Sequence, residues 1–268
     1  MPNPSFFTTV INSNLPEPQA SLLNGILFGV NLKTSKLFYQ QLKIVGLLHI
    51  VVLSGTNITL LSSLITSITR SFSKHLSMAL SILTIILFIL FVGPQAPIIR
   101  AGFMGVLTSV SILTGRKQMI LYCLVLSVLF IAIFWPQWLK TISFQLSYGA
   151  TLGIVLFGSV REGEAKGWLA KLKLIIWKDL KTSLAAQVFT APIIFLYFKQ
   201  VSIIAPISNL LVSFLISPLM ILGFLTAILG KINFWLGAVP AYLAYGILTY
   251  IVFIVEALAK LPLVFFSF

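Results

Sequence analysis

Long apolar runs recur from about residue 44 onward, and short polar stretches separate them. The runs lie at about 44–69, 76–93, 97–114, 118–135, 143–159, 180–198, 201–216, 217–230 and 235–259. A helix that crosses a bilayer needs about 20 predominantly apolar residues, which several of these runs approach. The pattern therefore predicts an all-α fold, a polytopic transmembrane helical bundle with roughly 7–9 apolar segments.

Three prolines lie at the edges of these runs, namely Pro97, Pro206 and Pro218. Proline lacks a backbone donor and clashes with the carbonyl four residues earlier in a helix. Inside a membrane the freed backbone groups need other partners, so broken helices line protein or a water-filled cavity. The sequence therefore predicts broken or re-entrant half-helices beside these prolines.

The region before the first long run has a different character. Residues 1–20 are polar and contain prolines, which predicts an N-terminal tail or loop. Residues 21–30 are apolar but too short to cross a bilayer, so they lie in the interface or re-enter the membrane. Residues 31–43 mix polar and apolar positions in the manner of an amphipathic helix. Residues 21–268 are accordingly expected to form a single membrane-embedded domain.

Composition supports the membrane assignment. The chain is 59% hydrophobic and 9% charged, and its mean hydropathy is +1.07. Soluble domains carry roughly 25% charged residues, and a soluble core of this size does not bury so much apolar surface. A soluble globular protein is therefore excluded.

The net charge of +13 has two interpretations. Cytoplasmic loops of membrane proteins are enriched in Lys and Arg, which places the basic loops near 70, 116 and 160–181 in the cytoplasm. Lys33, Lys36 and Lys43 then lie outside, against that rule. Alternatively, the charge attracts a polyanionic cargo or an anionic lipid surface.

Enzyme chemistry of the familiar soluble kinds has no support in the sequence. Cys123 is the single cysteine, and two isolated histidines make no zinc site. No phosphate-cradling G-x-x-x-x-G-K-[ST] pattern is present, so we expect no ATP motor. Glu256 stands alone in the last apolar run, where it either pairs with Lys260 or relays protons. We therefore expect no catalytic residue, metal or cofactor.

The stretch HIVVLSGTN, residues 49–57, places polar groups inside an apolar run. His49 and Ser54 suggest an intramembrane hydrolase, but five residues of helix turn the two side chains roughly 140° apart. Ser54 and Gly55 are also suited to a helix bend, which would place Ser54 and Asn57 inside the protein. The remaining alternative is ordinary hydrogen bonding between helices.

Four more polar side chains occupy apolar runs, and each has a structural and a functional interpretation. Arg100 either extends to the membrane interface or faces a wet pathway where it binds a phosphate bidentately. Gln145, Gln187 and Asn209 each share a helix face with small or hydroxyl residues. Such polar stripes suit a pore wall as well as a helix interface.

Several of these stretches together resemble the membrane competence domain of the ComEC-type DNA-internalisation proteins. The matching stretches, in order, are LPEPQASLLNGILFG at 15–29, HIVVLSGTNITL at 49–60, the Pro97-x-x-Arg100-Ala101 element, SFQLSYGATLG at 143–153, AAQVFTAPIIFLYF at 185–198 and APISNLL at 205–211. Each motif is weak by itself, whereas their shared order over roughly residues 15–230 is fairly specific. Asn57 departs from the family pattern, which has a histidine at that position.

The resemblance implies an inner-membrane channel that passes single-stranded DNA into the bacterial cytoplasm during natural transformation. It implies that the DNA path is lined by His49, Ser54, Gly55, Asn57, Arg100, Gln145, Gln187 and Asn209. Larger family members also carry OB-like and metallo-β-lactamase-like domains, which we expect this chain to lack. The implied partners are single-stranded DNA, membrane lipid, separate nuclease, DNA-receptor and helicase-like proteins, and a second copy of the chain.

Other classes of function fit the same residues. A permease for a small anionic solute would also need a cationic, hydrated pathway. A membrane scaffold would use the polar groups only to join helices. An intramembrane hydrolase would depend on Ser54.

Overall fold

The computed structural model describes residues 5–51, 55–69, 73–115, 119–159, 167–261 and 265–267. Nearly all of these residues are helical, as the apolar pattern predicts. The helices are α1 (Ser5–Asn14), α2 (Gln19–Phe28), α3 (Lys36–Val45), α4 (Leu48–Val51), α5 (Gly55–Ile68), α6 (Lys74–Val92), α7 (Ala96–Thr114), α8 (Ile120–Phe134), a 3₁₀ helix (Pro136–Lys140), α9 (Ile142–Phe157), α10 (Trp168–Phe198), α11 (Ala205–Ile232) and α12 (Phe234–Ala259). Two short antiparallel strands, β1 (Gln200–Ser202) and β2 (Phe265–Ser267), pair after α10 and α12.

Helix length and surface composition identify a multi-pass membrane protein. Within the described ranges, α6, α10, α11 and α12 are long and apolar enough to cross a bilayer, and five shorter helices are also apolar. Large apolar side chains cover the outside, for example Ile133, Val239 and Phe253. A water-soluble protein rarely exposes large continuous apolar patches, whereas acyl chains solvate them without cost.

The largest core lies between α1–α4 and the antiparallel pair α11 and α12. All ten residues of α2 are buried there, including the polar Gln19 and Asn24. Gly223 of α11 allows the close approach of α2, because a Cβ at this position would lie 2.8 Å from Leu23 Cδ1 and from Leu27 Cδ1. Most of the apolar segment at 21–30 is thus part of a short helix that is enclosed by protein.

Two smaller cores share α7. Ile58 and Ile85 join α5 and α6 to Ile98 on one face of α7. The other face of α7 packs on α8 and α9 through residues that include Ile131 and Phe144. Helix α7 therefore lies between two groups of helices, which places both faces of its first turns inside the bundle.

The expectation of half-helices beside prolines is wrong at Pro218. Pro97 and Pro206 lie in the first turns of α7 and α11, where the missing N–H leaves no helical bond unmade. Pro218 lies inside α11, so the runs at 201–216 and 217–230 form one continuous helix. Proline within a membrane helix is tolerated because packed neighbours satisfy the freed carbonyl.

Two polar regions are more helical than the sequence predicts. Residues 5–14, expected to be a tail or loop, form α1, and its Ile11 is fully buried. Residues 168–181, expected to be part of a basic loop, form the first half of α10. In both places apolar residues at helical spacing outweigh the polar composition. The amphipathic helix expected at 31–43 is confirmed as α3, which begins where Ser35 accepts a hydrogen bond from the Phe38 amide.

Candidate functional site

Arg100, in the second turn of α7, is the centre of the candidate site. Its side chain is half-buried, and Nη1 donates a hydrogen bond of 2.8 Å to the Ser147 carbonyl of α9. The guanidinium carbon lies 5.9 Å from the centre of the Tyr148 ring, within cation–π range. Arg100 therefore points between helices rather than along α7 to a membrane surface.

The charge of Arg100 has no acidic partner among the described residues. The carboxylates in that part of the chain belong to Glu17, Asp179 and Glu256, and none forms an ion pair with Arg100. Its Nε is buried and makes no hydrogen bond to any described residue. A guanidinium has five N–H donors, so one carbonyl leaves most of its binding capacity unused. An unneutralised cation with unused donors is a potential site for an anion.

Gly55, the first described residue of α5, faces this guanidinium. A Cβ at Gly55 would lie 3.0 Å from Arg100 Nη2 and 3.0 Å from the Ala101 Cβ. Few real Cβ atoms approach a neighbour so closely, and glycine is therefore the residue that fits here. The structure thus brings together two residues that the sequence analysis singled out separately.

A hydroxyl pair supports the ring beneath Arg100. Tyr148 Oη donates to Ser127 Oγ of α8 at 2.9 Å, and Ser127 Oγ donates to the Leu124 carbonyl at 2.7 Å. Both side chains are buried. Because this chain of hydrogen bonds fixes the Tyr148 ring, α8 contributes to the position of Arg100 without touching it.

Asn57 joins α5 to the buried helix α2. The side chain is 3% exposed, and Nδ2 donates a hydrogen bond to the Ile26 carbonyl. This accepting carbonyl belongs to a short helix surrounded by apolar side chains, where an unmade hydrogen bond is costly. Asn57 thus acts as a link between helices in this structure.

His49 lies apart from the Arg100 group. Its Nδ1 is 2.8 Å from the carbonyl of Gly46, in the turn between α3 and α4, and the side chain is exposed. Gly46 has a left-handed φ of 77° and lies against Ala205 at the start of α11. Ser54 lies outside the described residues, so the proposed Ser–His pair of a hydrolase has no described geometry.

The remaining candidates lie along α9, α10 and α11. Gln145 is half-buried, and it lies one and two turns before Gly149 and Gly153 on the face of α9 that packs on α10. Gln187 is half-buried on α10, one turn after Ser183. Asn209 of α11 donates to the Ser183 hydroxyl at 3.1 Å. Gln187 and Asn209 therefore belong to the same helix interface.

Pairwise contacts arrange six helices in a closed circuit. Asn57 joins α5 to α2, and Gly55 and Arg100 join α5 to α7. Further links are the Arg100–Ser147 bond between α7 and α9, the Gly153–Ala185 contact between α9 and α10, the Asn209–Ser183 bond between α10 and α11, and the Gly223–Leu23 contact between α11 and α2. The described candidates other than His49 all lie on this circuit.

The two cavities found among the described residues lie away from the candidates. These open cavities, of about 310 Å³ and 260 Å³, flank α3 and are lined by none of the candidate residues. Gly55 and Arg100 meet directly. Asn57 lies between α5 and α2, Gln145 lies on α9, and Gln187 and Asn209 lie between α10 and α11.

Sequence reasoning missed four of the partners that hold the site, namely Ser127, Ser147, Tyr148 and Ser183. Ser147 and Tyr148 lie inside the stretch SFQLSYGATLG and were visible as polar residues in an apolar run. Ser147 contributes only its backbone carbonyl, which carries no residue-specific signal. Ser183 precedes Gln187 by one helical turn, and that spacing was a usable signal.

Comparison with known proteins adds a family relationship. The family model described as "Competence protein" matches residues 26–268. The chain is also similar to ComE operon protein 3 of Bacillus subtilis (strain 168), with 25% identity over 207 residues. That alignment covers 76% of this chain and 26% of the relative, so the chain spans about a quarter of the relative's length. No solved structure matches the chain significantly.

Proposed function

Because this chain belongs to the competence protein family, we propose that it is a channel subunit that passes single-stranded DNA across the inner membrane during DNA uptake. The name of the Bacillus subtilis relative, ComE operon protein 3, is consistent with this role, although the relative is much longer than this chain. The proposal concerns the membrane-embedded helices only.

The observation that carries the proposal is the state of Arg100. The guanidinium is half-buried between α5, α7 and α9, and among the described residues it has a carbonyl and a ring as partners but no carboxylate. A DNA phosphate supplies two acceptor oxygens that match the planar donors of arginine. A polyanion passing this point would act as the counterion that the described residues do not supply to Arg100.

We propose that the strand travels along the helix circuit. Hydrogen bonds and glycine contacts cross its interfaces, beside apolar cores that join several of the same helices. We place the DNA path along these interfaces, past Arg100 and then past Gln145, Gln187 and Asn209. The polar side chains would replace part of the water around the strand as it crosses.

Partners and sidedness follow as further parts of the proposal. Energy for transport comes from outside these helices, through a helicase-like protein, and separate nuclease and DNA-receptor proteins act on the strand. The loops near 70 and 116 and the region 160–181 face the cytoplasm, following the distribution of Lys and Arg. The last region includes the basic first half of α10.

A permease for a small anionic solute is the second candidate. Arg100 has no carboxylate partner among the described residues, and its guanidinium could bind a small anion as well as a DNA phosphate. The two functions differ in their cargo. Purified protein in liposomes would transport a small anion without DNA if the permease assignment is right. Transport of a small anion, together with normal DNA uptake in cells that lack the gene, would support the permease and refute the DNA channel.

The decisive experiment measures uptake of labelled DNA in a deletion strain complemented with variants of this chain. Arg100→Ala is expected to lower uptake at least tenfold at equal membrane abundance, because the cation that binds phosphate is lost. Arg100→Lys keeps the charge and is expected to retain part of the uptake. Lys140→Ala is the matched control, since Lys140 is exposed in the 3₁₀ helix and makes none of the contacts of the circuit. Normal uptake with Arg100→Ala would refute the assignment.

A further inference from the structure

Most side chains in the first half of α10 are exposed. We name residues 168–181 the basic segment of α10. Helix α9 ends at Phe157, and the Lys181 ammonium donates to the Ser159 carbonyl just beyond that end. Farther toward Trp168 nearly every side chain is exposed. The basic segment therefore extends past the end of its packing partner.

The basic segment carries an apolar stripe at helical spacing. Trp168, Leu172, Ile175 and Ile176 follow the i, i+4, i+7, i+8 pattern of one helix face. Trp168 is 72% exposed and Ile175 is 58% exposed. Such a stripe outside the packed bundle requires an apolar environment that the chain itself does not provide in its described part.

The net charge of the basic segment indicates which kind of partner surrounds the apolar stripe. The basic segment contains four lysines and one aspartate, so its net charge is +3. Two copies of such a segment would repel each other, which disfavours pairing with a second chain. Lys171, Lys173 and Lys178 are all exposed. The required environment therefore combines an apolar layer with negative charge.

Helix length places the segment at a membrane surface. Helix α10 has 31 residues and is about 46 Å long at 1.5 Å per residue. Residues 182–198 carry no charged side chain and span about 26 Å, close to the hydrocarbon thickness of about 30 Å. The basic segment therefore begins near the hydrocarbon boundary and crosses the headgroup layer.

We propose that the basic segment of α10 binds anionic phospholipid, with the lysines on headgroup phosphates and the apolar stripe against acyl chains. Tryptophan is enriched at this depth of membranes, and lysines extend from apolar helices toward headgroups. Single-stranded DNA would also attract the lysines, but it provides no apolar partner for Leu172, Ile175 and Ile176. Lipid accounts for both the charge and the stripe.

The test uses the full chain in phosphatidylcholine vesicles, with a fluorophore on Leu172→Cys. Cys123 is buried, so the thiol-reactive label reaches residue 172. Quenching is measured with nitroxide-labelled phosphatidylglycerol and, separately, with nitroxide-labelled phosphatidylcholine at equal mole fraction. The anionic lipid is expected to quench at a several-fold lower mole fraction, and added salt is expected to reduce this preference.

Matched variants separate local binding from the general charge of the protein. Glutamine at Lys171, Lys173 and Lys178 is expected to remove most of the preference, since each basic residue near an anionic surface contributes up to about fivefold. Glutamine at the exposed Lys33, Lys36 and Lys140 removes the same charge elsewhere and is expected to leave the preference intact.

Three results would overturn the lipid assignment. Equal quenching by both lipids with the unaltered lysines excludes selective binding of anionic lipid. A fluorescence response to oligothymidylate in vesicles with equal lipid quenching would assign the segment to nucleic acid instead. Self-quenching that rises with the protein-to-lipid ratio would assign it to a second copy of the chain. DNA uptake is not measured here, so the outcome is independent of the proposed channel function.

Discussion

Gly55 of α5 and Arg100 of α7 are in direct apposition, and a Cβ at Gly55 would lie 3.0 Å from Arg100 Nη2. The absence of a side chain on one helix is therefore what makes room for the cation on the other. This relationship connects two residues 45 positions apart in sequence. It also makes the packing of α5 against α7 sensitive to the smallest possible enlargement at position 55.

Gly55→Ala is expected to displace the guanidinium and to lower DNA uptake severalfold. The added methyl group also contacts the Ala101 Cβ, which has no rotamer into which it can retreat. Overpacking of this kind costs about 1–3 kcal/mol. Uptake at equal membrane abundance and the thermal midpoint in detergent are the two measurements. Unchanged values of both would show that α5 and α7 are farther apart than described.

Gly153→Ala is expected to destabilise the pair α9 and α10. A Cβ there would overlap the carbonyl oxygen of Ala185, which belongs to a helix backbone and cannot rotate away. Gly149→Ala is milder, because its nearest neighbour is the flexible end of Ile193 at 3.3 Å.

Gly246→Ala is the matched control for these glycine variants. A Cβ at Gly246 would meet no atom within 4 Å, and alanine favours the helix by up to about 1 kcal/mol over glycine. Thermal midpoints should therefore fall most for Gly153→Ala, less for Gly149→Ala and not at all for Gly246→Ala. Any other order would contradict the described packing of α9 on α10.

Asn57→Leu is expected to lower stability by about 1–3 kcal/mol, because it leaves the buried Ile26 carbonyl without the amide donor. Asn209→Leu is the comparison, since its partner Ser183 is only half-buried and its hydroxyl oxygen can accept from another donor. We expect a smaller loss at position 209. Protease resistance of α2 in detergent provides the measurement, and a larger effect of the Asn209 variant would exclude Asn57 as the stronger link.

Tyr148→Phe keeps the aromatic ring under Arg100 and removes the bond to Ser127. The expected loss of stability is about 0.5–1.5 kcal/mol. Ser127→Ala is expected to cost more, since it leaves the Tyr148 hydroxyl buried without this partner. Both substitutions break the same Tyr148–Ser127 hydrogen bond. The double variant should therefore lose less stability than the sum of the losses in the two single variants. Strict additivity in thermal unfolding would show that the two hydroxyls do not interact.

Local sequence patterns predicted some residues of the candidate site but not others. Arg100 was recognisable because a lone guanidinium in an apolar run is costly and therefore informative. Its carbonyl partner on Ser147 was not, since every residue has a carbonyl and only packing decides which one lies nearby. For His49 the structure gives a local contact with the Gly46 carbonyl, which sequence alone does not distinguish from a role in the pathway.

By itself, the sequence determined the membrane environment, the all-α class and most of the long helices, because apolar run length and backbone hydrogen bonding are local properties. Tertiary structure alone decided that Pro218 leaves α11 unbroken, that α2 is enclosed by protein, and that Gly55 and Arg100 meet. Those outcomes depend on which helix faces pack together. Hydropathy does not distinguish such faces, since lipid and protein interiors are equally apolar.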